Sequence, residues 1–245
     1  MSARTLEIAA NSVGSALAAQ AGGADRIELC ENLIEGGCTP SYGTIAVVRD
    51  RLRIPVFVLI RPRGGDFLYD EAERDAMLRD IEACVRLGCD GVVLGALDPN
   101  GDVDVALCQS LIDAADELEV TFHRAFDATR NQAQALEDIV ALGCRRLLTS
   151  GGAIDALAGA DAIAALRQQA NGRIALMAGA GITADNLSEL LRRSGVNEVH
   201  TSARALRRSP MQHRNEVLKG LEPDWMQTDI DVVRSLATTL KRMVA

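Results

Sequence analysis

Eight short apolar runs alternate with amphipathic segments along the 245 residues of the chain. Each apolar run has the length and composition of a strand, and each amphipathic segment has the period of a helix. The predicted strands cover residues 6–10, 26–30, 56–61, 91–97, 120–125, 146–150, 174–179 and 198–203. The predicted helices cover residues 13–21, 41–51, 71–87, 103–119, 133–142, 154–169, 184–193 and 229–243. This alternation predicts parallel pairing, and at this length it favours an α/β fold with a single TIM-type (β/α)8 barrel over residues 1–245. An open doubly wound sheet is the alternative.

The charge and composition of the chain narrow its range of partners. Its formal net charge is −8, only 3% of its residues are aromatic, and it has no long run of Lys or Arg. Such a chain is poorly suited to nucleic acid or to an anionic membrane, so we expect neither as a partner. No apolar run approaches the ~18 residues of a membrane span, and no signal-peptide pattern precedes the first strand. We therefore expect a cytoplasmic protein whose six cysteines are reduced.

A weak internal repeat predicts which residues point into the barrel. Four predicted helices end at a glycine shortly before an even-numbered strand, namely Gly23, Gly88, Gly143 and Gly195. The residues four positions later are apolar and should face the helices: Ile27, Val92, Leu147 and Val199. The residues seven positions later should share an inward layer near the C-terminal mouth: Cys30, Gly95, Ser150 and Ser202. Glu28 and His200 would lie one layer below.

The segment RIELCENLIEGGCTPS, residues 26–41, joins a strand to a Gly-rich loop. Glu28 and Cys30 alternate with apolar residues, so a carboxylate and a thiol share the inward face of the strand. Thr39 as N-cap and Pro40 at the first helical position predict the start of the next helix. Burying Glu28 without a partner is expensive, so other parts of the chain must supply one.

Ionisable residues on several other predicted strands point to the same mouth. Active sites of TIM-type barrels lie at the C-terminal ends of the strands. The residues predicted to form such a site are Glu7, Glu28, Arg61, His123, Arg124 and His200. Two carboxylates and two imidazoles suit acid–base catalysis or a divalent metal, although no His-x-x-Glu-His type of spacing supports the metal. The alternative is a buried ion-pair network that joins Glu28 to Arg61 and Glu7 to His200.

Several loops at this end of the barrel could hold an anion. Arg61 and Arg63 lie just before a Gly-Gly hinge and could clamp an anion as a lid, or they could belong to a solvated loop. Backbone N–H groups after the last three strands could bind a phosphate or a carboxylate. The residues that would do so are Ser150, Gly151, Gly152, Gly179, Gly181 and Ser202. The alternative for the glycines is close packing of strand against helix.

The C-terminal third of the chain gives weaker signals. Thr183 is the predicted N-cap of the seventh helix. Residues 204–224 form the longest irregular stretch and are locally basic, which indicates a solvated surface in preference to a cover over the mouth or a subunit contact. Trp225 is the only tryptophan, and we expect it to pack the last helix onto the barrel.

The cysteines bear on copper, because copper(I) prefers soft thiolate or thioether ligands. Cys30 and Cys38 are the two cysteines placed near the mouth, but their spacing matches no metal-binding pattern. By residue type alone, Cys30 fits a small filler of the barrel mouth as well as it fits a ligand.

Seven segments of the sequence resemble the CutC family of copper homeostasis proteins. The segments are GGADRIELCENLIEGGCTPS, IRPRGGDFLYD, GVVLGAL, TFHRAFD, RLLTSGG, AGAGI and EVHTSA, and they run from Gly22 to Ala203 in the order of the family. The resemblance implies a TIM-type barrel, a cytoplasmic location, a role in copper handling and a homo-oligomer. It also implies a copper ligand at a mouth cysteine, which falls on Cys30, and it leaves the part played by Cys38 open.

Two hypotheses of function follow from the residues and the resemblance. The first is a copper-binding homeostasis protein that uses Cys30. The second is a barrel enzyme, a lyase, isomerase or hydrolase, that acts on a small anionic metabolite, phosphorylated or not, with Glu28 and His123 as acid and base. A third hypothesis, an interaction scaffold, predicts a mouth without a pocket.

Overall fold

The computed structural model describes residues 4–215, 217 and 219–243. Eight parallel strands, β1 to β8, close into a barrel in sequence order, with β1 hydrogen-bonded to both β2 and β8. They cover Thr5–Ala10, Arg26–Leu29, Val56–Leu59, Gly91–Leu94, Glu119–Phe122, Arg146–Thr149, Ala175–Gly179 and Glu198–Thr201. The TIM-type barrel predicted from the alternation of strands and helices is therefore confirmed.

Helices α1 to α8 surround the barrel. They cover Val13–Gly22, Tyr42–Arg51, Glu71–Arg86, Val105–Ala115, Gln132–Ala141, Ala160–Ala170, Leu187–Ser194 and Ile230–Arg242. Their starts have local causes: Ser12 caps α1, and Asp70 with Glu73 forms a capping box at α3. After α1, Gly23 has a φ of 93°, a left-handed conformation that glycine adopts without strain. None of the helices in the described ranges is long and apolar enough to cross a membrane.

The barrel strands contribute to two separate cores. The four residues predicted to face the helices lie in the large outer core, which confirms that prediction: Ile27, Val92, Leu147 and Val199. Inside the barrel lies a smaller cluster, which we call the inner apolar cluster: Ala9, Cys30, Phe57, Leu59 and Val93. The ring of Phe57 occupies the space of a missing side chain at Gly91, where a Cβ would overlap the ring. Apolar packing therefore fills one part of the barrel and leaves the mouth to polar residues.

Strand and helix ends differ from the prediction where the chain enters loops. Six of the eight strands end one to three residues early, because the chain leaves the barrel at that point. After β5, for example, Arg124–Ala128 forms a 3-10 helix. α4 ends at Ala115 because Asp116 adopts a φ of 52°. α6 begins at Ala160, six residues later than predicted, since the Asp155 side chain accepts the Ala158 N–H (2.8 Å) in a turn.

Two predicted helix caps are wrong. Ser41 caps α2, because its Oγ accepts a helix N–H, whereas Thr39 Oγ1 accepts the N–H of Arg61 at 2.9 Å. Thr183 lies in the turn before α7, and the N-cap of that helix is Asn186. In both places a nearby polar residue competes for the same role, and the path of the chain after the strand decides between them.

The stretch after β8 contains structure that the sequence analysis missed. β9 (Arg204–Arg207) and β10 (Trp225–Thr228) pair as an antiparallel ribbon beside the barrel. Trp225 lies across from Arg207 with 45% of its surface exposed, so it is not buried between α8 and the barrel as predicted. The ribbon is fixed to α1 by the Thr228 N–H, which donates to Ser15 Oγ at 3.1 Å.

Candidate functional site

A cavity of about 750 Å³ opens at the C-terminal ends of the barrel strands, where the scaffold hypothesis expected no pocket. Five of the six predicted catalytic residues line it: Glu28, Arg61, His123, Arg124 and His200. The sixth, Glu7, is fully buried next to His200. Three predicted anion-binding residues also line the cavity: Gly152, Gly181 and Ser202. The other four do not border it: Arg63, Ser150, Gly151 and Gly179.

His200 lies between two buried carboxylates. Glu7 and His200 are register partners on β1 and β8, and His200 Nδ1 lies 2.7 Å from Glu7 Oε1, as the ion-pair alternative predicted. On the other side of the ring, His200 Nε2 lies 3.9 Å from Glu28 Oε1. Glu28 Oε2 has no hydrogen-bond partner in the described part of the chain. Glu7 thus orients the imidazole, and Glu28 keeps one buried oxygen without a hydrogen bond from the described residues.

Burial and neighbouring charges separate the protonation states of these groups. Burial alone would raise the pKa of Glu7, but the Arg26 guanidinium and the hydrogen bond with His200 hold that pKa at about 2. Burial, reinforced by the Glu7 charge, raises the pKa of Glu28 to about 7 against the opposing effect of His200. Burial also disfavours the charged form of His200, yet the two carboxylates raise the pKa of its imidazole. Near neutral pH, Glu7 is ionised and Glu28 can take up or release a proton.

Arg26 is a residue of this site that the sequence analysis missed. Its guanidinium bonds both Glu7 and Glu198. Glu198 in turn accepts from Arg146 Nε at 3.2 Å, which extends the ion pairs across the floor of the barrel. Arg26 precedes Glu28 by two positions on the same strand, so the alternation of side chains was a signal that could have found it. This network holds the Glu7 carboxylate that contacts the site.

His123 is a buried, neutral imidazole after β5. Its Nδ1 accepts the N–H of Ala125 at 3.2 Å, so the neutral ring carries its proton on Nε2. Burial and the charge of Arg61 lower the pKa of His123 to about 3. The ring fills the side-chain space of Gly95, where a Cβ would come within 2.7 Å of Nδ1. His123 Nε2 has no partner among the described residues.

Arg61 is a buried cation without a carboxylate partner. Its Nη1 donates to the carbonyl oxygens of Glu35 and Gly37, both at 2.8 Å, and its Nη2 donates to that of Gly65 at 2.7 Å. Its Nε has no partner, and no ion pair joins the guanidinium to a carboxylate within the described ranges. The predicted pair between Glu28 and Arg61 is therefore not formed. Arg61 fastens two loops together and brings an unneutralised charge to the cavity.

Arg63 does not form the predicted anion clamp. Its guanidinium pairs with Asp66 at 3.0 Å and with Glu73 at 2.5 Å, away from the cavity. Because both carboxylates belong to the chain, the charge of Arg63 is already neutralised. The predicted lid of two arginines is thus reduced to Arg61.

The loop after β6 already binds a carboxylate of the chain itself. Asp127 accepts the backbone N–H of Ser150 at 3.0 Å and that of Gly152 at 3.1 Å, and it accepts the hydroxyl proton of Thr149. The N–H of Gly151 donates to Thr149 Oγ1 at 2.8 Å. The prediction that these three N–H groups hold a free anion is therefore wrong, since Asp127 and Thr149 use them. No motif or spacing in the sequence indicates that the two loops meet.

Arg124 and Arg204 also line the mouth, and the first of them is paired with a carboxylate. Arg124 Nε pairs with Asp127 Oδ2 at 2.7 Å, and its Nη2 donates to Ser150 Oγ at 3.0 Å. Arg204 lies in the stretch predicted to be a solvated surface, yet it lines the cavity and its Nε donates to Ser202 Oγ at 3.2 Å. Arg204 is a second missed residue, and no motif marks it, because only the pairing of β9 with β10 places it there.

The loops after β7 and β8 turn sharply at the cavity wall. Ala180, Gly181 and Ala203 have φ values of 87°, 67° and 46°. Left-handed conformations strain alanine, and such strain persists only where surrounding contacts enforce it. Gly179 has another explanation: a Cβ there would come within 2.5 Å of Leu148 Cδ1, so the packing alternative accounts for this glycine.

Cys30 lies in the inner apolar cluster and does not line the cavity. Burial raises the pKa of its thiol well above the ordinary value, and Glu28 adds to that effect. The thiolate is the form that binds metals, so a buried, protonated thiol fits copper(I) poorly. Cys38 is a free, partly buried thiol on the neighbouring loop.

A second set of donors could suit a harder cation. Glu7, Glu28 and His200 each offer a ligand atom, and these atoms lie within 4.8 Å of one another. However, Glu7 is already neutralised by Arg26 and bonded to His200, and two carboxylates with an imidazole lack the soft donors that copper(I) prefers. This set therefore fits acid–base chemistry better than it fits copper(I).

A closed parallel barrel surrounded by helices is a TIM barrel, and the cavity with ionisable side chains lies at the strand ends where such barrels usually have their sites. The model of the CutC family matches residues 4–205 of the chain, which therefore belongs to the CutC family. The chain is 55% identical over 237 residues to the family protein CutC of Xylella fastidiosa (strain Temecula1), with 97% of this chain and 89% of the relative covered. The family predicted from the seven segments is confirmed.

Solved structures agree with this assignment. The crystal structure of the Streptococcus agalactiae CutC protein, which is named for copper homeostasis, has a TM-score of 0.78 at 35% identity and covers 81% of this chain and 98% of its own. Thiamine phosphate pyrophosphorylase from Pyrococcus furiosus has a TM-score of 0.63 at 16% identity and covers 98% of this chain and 97% of its own. The second likeness concerns the fold alone.

Proposed function

We propose that this CutC-family barrel is an acid–base enzyme, a lyase, isomerase or hydrolase, that acts on a small anionic metabolite. One observation carries the proposal. Glu28 Oε2, Arg61 Nε and His123 Nε2 are buried polar atoms without partners in the described chain, and their residues line one cavity. Each such atom costs about 1–3 kcal/mol when left unsatisfied. A ligand with both donor and acceptor groups would satisfy all three.

The proposed acid–base group is Glu28, assisted by His200. A pKa of about 7 lets the Glu28 carboxyl exchange a proton near neutral pH, which is the condition for efficient general acid–base catalysis. Glu7 positions His200 through its Nδ1, and the Nε2 of the same ring faces Glu28. Glu7 is therefore a positioning residue in this proposal, because it contacts the imidazole and does not border the cavity.

The charges at the mouth favour an anionic ligand. Arg61 brings a buried cation without a carboxylate partner, and Arg124 and Arg204 line the same cavity. Burying an uncompensated charge is expensive, so an anion that pairs with it gains more than it would at the surface. The volume of about 750 Å³ is in the range of small-molecule sites.

Copper handling is the second candidate function, and the name of the Streptococcus agalactiae relative favours it. In this chain Cys30 would supply the soft ligand, with Cys38 as its neighbour. Binding there requires that the Cys30 thiol lose its proton and that the inner apolar cluster open. We further propose a cytoplasmic location, because all six cysteines are free thiols. A homo-oligomer is proposed on the family resemblance alone.

A ligand screen distinguishes the two functions. Thermal unfolding of the wild type is measured with a panel of phosphorylated and carboxylated metabolites and, separately, with buffered copper(I). The enzyme proposal expects that one class of anion raises the Tm, that Arg124→Gln and Arg204→Gln reduce this effect, and that Cys30→Ala does not. Glu28→Gln should retain anion binding and lose turnover of the compound found. The copper proposal expects stoichiometric copper(I) binding that Cys30→Ala abolishes, and the enzyme proposal fails if no anion raises the Tm.

A further inference from the structure

We propose that His123 and Arg61 form an oxyanion hole, and that the substrate is an anionic carbonyl compound from which Glu28 removes the proton on the carbon next to the carbonyl group. The inference rests on the proposed function and adds to it the class of substrate and of reaction. It is carried by two buried donors and one buried acceptor, all unpartnered in the described chain, on residues that line a single cavity.

The two donors are held in place by the other bonds of their side chains. His123 Nδ1 accepts the Ala125 N–H, which leaves the Nε2 proton without a partner in the described chain. The Nη atoms of Arg61 donate to three loop carbonyls, and its Nε proton likewise has no partner in the described chain. Donors fixed in this way stabilise a developing negative charge without reorganising during the reaction.

Gly95 and Phe67 bring the two donors to one part of the wall. Arg61 follows β3 and His123 follows β5, and in the barrel β4 lies between these strands. The ring of His123 lies over Gly95, just after β4, because no Cβ blocks it. Phe67 contacts both side chains: its ring centroid lies 5.1 Å from that of His123 and 5.0 Å from Arg61 Cζ. Both donor nitrogens are buried from water, and Phe67 is one of the groups packed against their side chains.

The chemical step is proton transfer from carbon. The C–H bond next to the carbonyl breaks, the proton moves to Glu28 Oε2, and the electron pair of that bond forms the C=C bond of an enolate. The negative charge then lies on the former carbonyl oxygen, which accepts from Arg61 Nε and His123 Nε2. Return of the proton from Glu28 to carbon reverses the step, so no oxidant or cofactor is consumed.

The protonation states of the side chains suit these roles. A neutral imidazole donates a hydrogen bond without releasing its proton to the enolate, and burial with the Arg61 charge keeps the pKa of His123 at about 3. Glu28 must be ionised to accept a proton, which a pKa of about 7 permits near neutral pH. Environments that drive two pKa values apart let the two groups take different roles in one site, here a base and a neutral hydrogen-bond donor.

Two matched pairs of compounds test the inference by titration calorimetry. The first pair is dihydroxyacetone phosphate and phosphoglycolohydroxamate, which imitates its enolate form. The second pair is pyruvate and oxalate, which imitates the enolate of pyruvate. The two members of each pair carry the same kind of anionic group and differ at the oxyanion. The phosphate and carboxylate pairs distinguish the two sources of negative charge. We expect wild-type protein to bind the enolate mimic of one pair at least about tenfold more tightly than its keto partner, as enzymes do with transition-state analogues.

Two variants remove the preference in different ways. His123→Phe keeps a ring in the gap above Gly95 but has no donor, and Gly95→Ala keeps the donor but displaces the ring. Both should bind the keto compound and lose most of the preference for the mimic. His213→Phe is the control: it replaces an exposed histidine outside the cavity and should keep the preference for the mimic.

The outcomes separate this inference from the proposed function. Equal binding of both members of each pair by wild type, or an unchanged preference in His123→Phe, overturns the oxyanion hole and leaves anion binding intact. The same holds if neither pair binds but the earlier screen finds another anion. If no anion binds in either experiment, the inference and the proposed function fail together.

Discussion

Glu7 Oε1 lies 2.7 Å from His200 Nδ1, and the two residues face each other as register partners across the seam between β1 and β8. Glu7 also bonds Arg26, which in turn bonds Glu198 at the barrel floor. His200 is therefore tied to charges that lie outside the cavity. The protonation of His200 thus depends on residues that do not line the cavity.

Glu7→Gln should lower the pKa of His200 and destabilise the fold. The amide keeps the shape of the carboxylate but removes the charge that favours the imidazolium, and it leaves Arg26 with Glu198 alone. Breaking a buried pair from one side costs about 3–5 kcal/mol. The imidazole NMR signals of His200 report its pKa, and urea unfolding reports the free energy of unfolding.

Glu198→Gln is the matched control for this prediction. Glu198 bonds Arg26 and Arg146 but not His200, so its replacement should also lower stability while the pKa of His200 stays near the wild-type value. If the two variants lower that pKa equally, the effect of Glu7 is not transmitted through its contact with His200.

Glu28→Gln should make the protein more stable at pH 8 and have little effect at pH 4. In the unfolded chain Glu28 ionises above its ordinary pKa of 4.5, whereas in the folded protein burial delays ionisation to about 7. Wild-type stability therefore falls as the pH rises from 4.5 to 7 and stays lower above that range. The difference corresponds to on the order of 3 kcal/mol.

Urea unfolding at several pH values measures this effect. The Glu28→Gln variant should lack the fall in the free energy of unfolding between pH 4.5 and 7. Glu117→Gln, which replaces an exposed glutamate, should retain it. A fall of the same size in Glu28→Gln would mean that the Glu28 carboxyl does not carry a raised pKa in the folded protein.

The barrel and the inward direction of several strand residues were predictable because strand alternation is a local property. Glu7, Glu28 and His200 each follow an outward-facing apolar neighbour, so their inward direction could be predicted without knowing the fold in detail. Arg26 obeys the same rule and was predictable in principle. The assignment of residues 1–245 to one domain stays a prediction.

The uses of the loop residues were not predictable from local sequence. Arg61 binds carbonyls of two different loops, and Asp127 binds N–H groups of the next loop, so each contact depends on how separate segments meet. Arg204 comes to the mouth through the antiparallel pairing of residues separated by about twenty positions in sequence. Tertiary contacts, and not residue preferences, decide which side chains remain free for a ligand.

Asp127→Ala should destabilise the loop after β6, and added acetate or inorganic phosphate should partly restore it. The Asp127 carboxylate accepts two backbone N–H groups and two hydroxyl groups and pairs with Arg124. Loss of several charge-assisted hydrogen bonds should cost about 2–4 kcal/mol. A small anion that enters the vacated space would regain part of this energy, which thermal unfolding in acetate or phosphate against chloride measures.

Asp98→Ala provides the comparison for this rescue. Asp98 also accepts two loop N–H groups, those of Asn100 and Asp102, but in an exposed turn. Neither this variant nor the wild type should gain stability specifically from acetate or phosphate. If Asp127→Ala gains no more than they do, the loop donors do not form an anion site when Asp127 is removed.

Gly91→Ala should destabilise the barrel floor because the new Cβ would overlap the ring of Phe57 and lie 2.5 Å from the Glu119 carbonyl oxygen. Overpacking of a core typically costs about 1–3 kcal/mol. Gly43→Ala is the control, because a Cβ there meets nothing within 4 Å and alanine favours the helix, so stability should stay the same or rise by up to about 1 kcal/mol.

A double-mutant cycle with Phe57→Ala determines which contact requires the glycine. Phe57→Ala alone should cost about 3–5 kcal/mol of stability. Without the Phe57 ring, the Cβ of Ala at position 91 has room. The double variant should therefore be less destabilised than the sum of the two single variants, by at least about 1 kcal/mol. Arg26 and Arg146 also stack on the Phe57 ring, so urea unfolding of all four proteins at one pH keeps their charges constant. Additive effects would contradict the packing explanation and leave the Glu119 carbonyl as the group that excludes a side chain at position 91.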